Sequence, residues 1–132
     1  MIDIESNIIG LVLKALVEPV HLDLQEKHFS CDYGRSIWSA IEYHTARKVT
    51  PDLITVCEHL DKVKPGGAME SWTWLSHLGK MVRESLPPST AKDHANAIKN
   101  KWKVKQVKTI GHEMSADNNA DINKYIKELM AL

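Results

Sequence analysis

The sequence predicts an all-α fold, on three observations. Apolar residues recur at helical spacing in one segment after another. Clusters rich in proline and glycine separate those segments. Nowhere do apolar and polar residues alternate between turn signals for long enough to make a strand.

The first element spans Ile2 to Val17, where Ile4, Ile8, Leu11, Val12 and Leu16 give a broad apolar face and Pro19 supplies the stop. A short helical turn follows over His21 to Phe29. After a loop, Asp32 is the expected N-cap of a helix from Tyr33 to Arg47 carrying Ile37, Trp38 and Ile41. Thr50-Pro51-Asp52 is a start signal: a hydroxyl for the first N–H groups, a proline where no N–H is needed, and an acid at the positive end of the dipole. The helix it opens runs through Leu53, Val56, Cys57 and Leu60 to the breaker Lys64-Pro65-Gly66-Gly67. Met69 to Val82 repeats the pattern with Trp72, Leu75 and Leu78. Beyond Leu86-Pro87-Pro88, Ser89 or Thr90 caps the longest helix, Ala91 to about Ala116. Asp117-Asn118-Asn119 is a turn, and Asp121 to Leu132 is a final short helix with Ile122, Tyr125, Ile126 and Leu129.

The 132 residues suffice for one domain with its own core. Seventeen basic residues balance seventeen acidic ones, so net charge gives no support for non-specific binding to nucleic acid or acidic membranes. No segment approaches the length of a membrane span, and the apolar stretch from Ile8 to Val17 lacks a basic leader. Two cysteines are too few for a disulfide framework, and a cytoplasmic location is the default expectation.

Candidate chemistry is sparse. His28, Cys31, Cys57 and His59 are four possible zinc ligands, but Cys57 and His59 lie two apart on a helix and point to different faces, so no metal is expected. No serine occupies a nucleophile elbow, and no pair of acids stands out for proton transfer. Gly79-Lys80 does not complete a phosphate loop: Trp74 stands where the first glycine belongs and Met81 where a serine or threonine does. Neither catalysis nor a cofactor is expected of this chain.

Charge is unevenly distributed. Between Lys92 and Lys108 there are six lysines and a single acid, Asp93. Lys99, Lys101, Lys103, Lys105 and Lys108 are either a solvated helix face or contacts to an acidic partner or DNA phosphates. Trp38, Trp72 and Trp74 fit core positions. Trp102, inside the lysine run, fits either the core or an interface.

Read in order, six segments resemble the N-terminal domain of DnaB-like replicative helicases. Ile4 to Leu13 is similar to the family's opening "EAEQSVLGGLLL" helix. Glu26 to Phe29, Arg35 to Trp38, Ser71 to Leu78 and His94 to Lys99 match further stretches. Pro51-Asp52-Leu53-Ile54-Thr55-Val56 resembles "PIDLITL", the most specific piece. The likeness covers roughly residues 3 to 116. Trp102 with its lysines, and Lys64 to Gly67, depart from the family pattern.

The resemblance implies a compact multi-helix head over residues 1–116, including the long helix, then a short helix over 117–132 that completes a partial hairpin. It also implies a non-catalytic domain of an ATP-dependent helicase. Such a domain forms homo-oligomers, a dimer or part of a hexamer, and meets primase or a helicase loader. A hairpin with one short arm leaves Val104, Val107, Ile110, Ile126 and Leu129 partly uncovered, with Trp102 a rigid anchor beside them. Two other readings stay open: a free-standing phage or mobile-element protein acting on a host helicase as loader, inhibitor or decoy, and a basic-helix nucleic-acid binder. DNA is expected to bind weakly if at all, and no membrane is expected as a partner.

Overall fold

The structure, a computed structural model, describes residues 3–63, 73–116 and 121–132. These form six α-helices and no strand: α1 (Ile4–Leu13), α2 (Asp32–Ala46), α3 (Leu53–Val63), α4 (Trp74–Glu84), α5 (Ala91–Ala116) and α6 (Ile122–Met130).

Local chemistry fixes the boundaries, and several differ from expectation. Asp3 caps α1 by accepting the Ser6 N–H at 2.8 Å. The helix stops at Leu13, short of Val17, because Ala15 adopts a left-handed φ of 58°. Leu16 N–H then reaches the Leu11 carbonyl at 3.1 Å and Ala15 N–H the Val12 carbonyl at 2.9 Å. This is a Schellman turn with alanine where glycine is usual. The same turn closes α2, with Lys48 at φ 58° and Val49 N–H on the His44 carbonyl at 2.9 Å.

The cap of α2 is Cys31, whose thiol accepts the Gly34 N–H at 3.4 Å. Asp32, the expected cap, is the first helical residue and pairs with Arg35. At α3 the capping group is Asp52 rather than Thr50. Its carboxylate accepts the Thr55 N–H at 2.9 Å, while the Thr55 hydroxyl receives the Asp52 N–H at 3.1 Å. Thr73 caps α4, accepting from Ser76 N–H at 3.1 Å. The expected start of this helix at Met69, Trp72, and the Lys64 to Gly67 breaker lie outside the described residues, as does the turn at Asp117 to Asn119. The region from His21 to Phe29 holds parts of two 3-10 turns, Pro19–Leu22 and Glu26–His28. A third 3-10 turn, Pro88–Thr90, leads into α5, and Asp121 caps α6 through the Lys124 N–H at 3.2 Å.

The chain divides into two compact units, Met1–Ile98 and Lys99–Leu132. The division falls inside α5, whereas the sequence reading put it after Ala116. The reason lies in the helix's own pattern. Ala91, Ala95 and Ile98 share one face and are buried in the first unit, while Ile110, buried in the second, stands about 120° further round. No single apolar stripe runs the length of α5.

In the first unit α1 packs chiefly on α4, α4 on α3, and α3 on α2. Burying side chains such as Ile8, Leu11, Ile37, Leu60 and Leu78 contributes about 1.5–3 kcal/mol each. Phe29 stacks on Trp38 with ring centroids 4.9 Å apart, and the Trp38 indole N–H reaches the Leu24 carbonyl at 3.2 Å. Trp38 and Trp74 are thus core residues, as their spacing predicts. Gly10 permits the α1–α4 contact. A Cβ there would overlap the Met81 carbonyl oxygen and come within 3.0 Å of Ser85 Cβ.

Candidate functional site

Among the described residues of the first unit, the candidate groups named from the sequence do not come together as a reaction centre. Gly79-Lys80 lies inside α4, where its N–H groups serve helical bonds instead of converging on an anion. The zinc candidates are dispersed into other roles. The His28 Nδ1 accepts the Gln25 N–H at 2.9 Å, Cys31 caps α2, and Cys57 is buried with its thiol pushed up to about 11 by desolvation and by Asp61. His59 lies against Tyr43, centroids 4.3 Å apart, and Arg47 covers Tyr43 at 3.5 Å. Burial, then electrostatic effects from His44, Arg47 and Lys62, hold His59 below the usual histidine range. Among the described residues no three His, Cys, Asp or Glu side chains are grouped to hold a metal. A hollow of about 360 Å³ between the two Schellman turns is lined largely by aliphatic groups such as Val12, Val17, Val49 and Pro51.

The second unit carries the exposed apolar surface. Val104 and Val107 are 54% and 49% exposed, and Met114 is also exposed. With Gly111 they stand at intervals of three, four and three residues, which is one line along an α-helix and the spacing of a coiled-coil seam. On α6, Ile122, Ile126 and Leu129 form a second exposed line at intervals of four and three, which adjoins the buried Tyr125 on the same side of the helix.

The expected interface residues are therefore only partly brought together. Val104 and Val107 share a face, and Ile126 and Leu129 share another. Ile110 is 8% exposed, so its partial cover does not hold: it is a core residue of this unit, together with Tyr125. Trp102 is half-buried and sits five residues before Val107, across the helix from the seam. The lysines divide too. Lys101, Lys105 and Lys108 fall on one side of the seam, and Lys99 and Lys103 on the other. A concavity of about 960 Å³ opens beside Lys105, Lys108, Gly111 and His112.

Sequence reasoning missed Gly111 and Ile122 as surface features. The heptad interval from Val104 through Met114 is interrupted by a glycine at its third position, which breaks the apolar pattern. No helix among the described residues is long and apolar enough to cross a membrane.

Comparison with known proteins agrees with this architecture. A family model described as "DnaB-like helicase N terminal domain" matches residues 1–100. No curated protein matches the chain. Among solved structures, the N-terminal domain of DnaB helicase from Mycobacterium tuberculosis superposes with a TM-score of 0.77. That match covers 98% of this chain and 95% of the other at 16% identity, a likeness of fold.

Proposed function

The chain belongs to the family of DnaB-like helicase N-terminal domains, and from that premise we propose that it is a non-catalytic interaction and oligomerisation module. It acts in DNA replication by contact with other helicase subunits and with primase or a loader. A replicative role of this kind implies a cytoplasmic location.

The observation that carries the reading is the exposed apolar line of Ile122, Ile126 and Leu129 on α6. A nine-residue helix that buries one aromatic and exposes three large aliphatic groups is poorly matched to water. Its flanks hold both signs of charge, Lys124 and Lys127 beside Asp121 and Glu128, so two copies can pair without opposing like charges throughout. Association would bury this line at about 25 cal/mol per Å² before the entropic losses of binding. With Ile110 inside the unit, self-association is assigned to α6.

Sedimentation velocity over a concentration series tests the proposal. A rising weight-average mass that Ile126→Asp abolishes, with helical content unchanged, is the expected result. A species that stays at monomer mass at the highest soluble concentration overturns it.

A further inference from the structure

The apolar seam on α5 has flanks unlike those of α6. In heptad terms Val104 and Gly111 are a positions, and Val107 and Met114 are d positions. The neighbouring e positions hold Lys101 and Lys108, and the g position before Val104 holds Lys103. The next g position is the buried Ile110, where the seam adjoins the core of the unit. Between Lys99 and Ala116 the only acid is Glu113, at a c position away from the seam.

Those flanks decide what can lie on the seam. In a parallel pair of two α5 helices, Lys103 of one copy meets Lys108 of the other. In an antiparallel pair, Lys101 and Lys108 meet across the e flank. Either arrangement opposes like charges at the positions that set partner choice in coiled coils. A helix with carboxylates at its own e and g positions meets no such conflict.

Gly111 adds a second, independent observation. Glycine inside a helix is disfavoured, and at Gly10 a close backbone that a Cβ would strike accounts for it. At Gly111 nothing among the described residues lies within 4 Å of where a Cβ would stand. No neighbour among the described residues accounts for it. A bulky side chain from a partner helix, seated as a knob between Val107 and Met114, would.

We infer that the seam formed by Val104, Val107, Gly111 and Met114 docks an acidic amphipathic helix of another protein, with Lys101, Lys103 and Lys108 meeting its carboxylates. This deepens the proposed function by naming the chemistry of the heterologous partner, and rests on that reading. Single-stranded nucleic acid is the weaker occupant, since no Phe, Tyr or Trp occupies the seam or its flanks on which bases could stack.

The test uses the full chain and two synthetic helical peptides, both with leucine at a and d, one with glutamate at e and g and one with lysine there. Fluorescence anisotropy should show binding of the glutamate peptide and at least about tenfold weaker binding of the lysine peptide, since like charges then oppose one another across the flanks. Lys101→Glu/Lys103→Glu/Lys108→Glu should exchange that preference. Val107→Asp should abolish binding of the glutamate peptide with all lysines intact, which separates a seam from general charge attraction. Equal binding of the two peptides, indifference to Val107→Asp, or preference for an oligothymidine over the glutamate peptide would each overturn the inference. Self-association in the triple lysine variant keeps the two surfaces distinct. If that variant still sediments as wild type but does not exchange peptide preference, the seam fails while the α6 proposal stands. If wild type remains monomeric yet binds the glutamate peptide as described, the seam stands and the α6 proposal fails.

Discussion

The side-chain oxygen of Asn7 accepts the backbone N–H of Leu86 at 2.6 Å, tying the first helix to the proline turn before α5. Asn7 is completely buried, and its amide nitrogen lies 3.0 Å from Thr90 Oγ1 and 2.8 Å from His94 Nδ1. The second contact requires His94 to present the Nδ1 lone pair. Asn7→Ala leaves the Leu86 N–H without this acceptor, and should cost about 1–3 kcal/mol. Urea denaturation measures it through the midpoint. Asn7→Asp keeps an acceptor for Leu86 but loses the donor to Thr90 and His94, and should also destabilise. An unchanged midpoint in both variants would mean that water replaces the network.

Gly10→Ala should destabilise in spite of alanine's higher helix propensity. Propensity favours alanine by about 1 kcal/mol. Against it, the new methyl overlaps the Met81 carbonyl, and backbone yields less readily than a flexible side chain. Overpacking of this kind costs typically about 1–3 kcal/mol, so the net change is a loss. A thermal melt at matched concentration shows it as a lower midpoint. A raised midpoint would mean that α1 and α4 separate freely.

Much of the fold was legible because most helices carry their own periodicity and most breaks a proline or glycine. The bounds of the long helix, Ala91 to Ala116, agree with the expected ones. The end of α1 was not legible, since Ala15 takes a left-handed conformation that nothing in the local sequence advertises. The caps at Cys31 and Asp52 were displaced from the expected residues because several neighbouring side chains could accept the same N–H, and packing chose between them. At the candidate site, the sequence named helices that carry exposed apolar lines and the lysines that lie beside one of them. It placed Ile110 outward because the apolar face of α5 rotates between the two units, a change no single-helix pattern discloses.

Asp52→Ala should lower stability by about 1 kcal/mol through loss of the α3 cap. The hydrogen bonds from Thr55, led by its backbone N–H, hold the Asp52 carboxyl below its ordinary value. A group depressed in the folded state contributes stability above its unfolded pKa and loses it as pH falls through the folded one. The gap between wild type and Asp52→Ala should therefore close in acid and stay constant at neutral pH. A gap that persists unchanged under acid conditions would contradict a role for the carboxylate.

His77 carries the opposite sign of charge. Burial, then Lys80, holds its pKa below the usual histidine value, with Asp3 opposing. Below the unfolded histidine pKa of about 6.5 the unfolded chain takes up a proton more readily than the folded one. Stability should accordingly fall as pH drops from that value through the lowered folded pKa. Thermal melts between neutral pH and mild acid should show a shallower decline for His77→Asn than for wild type. Equal slopes would mean that His77 does not report its burial.

The proposed self-association makes the second unit the interaction surface and α6 the place where copies meet. Two-dimensional ¹H–¹⁵N spectra across a dilution series test it most directly, residue by residue. Pairing through α6 should give concentration-dependent shifts concentrated on Ile122 to Met130, with the head from Ile4 to Ile98 unmoved. Shifts centred on the head, or spectra that do not change with concentration, would contradict it.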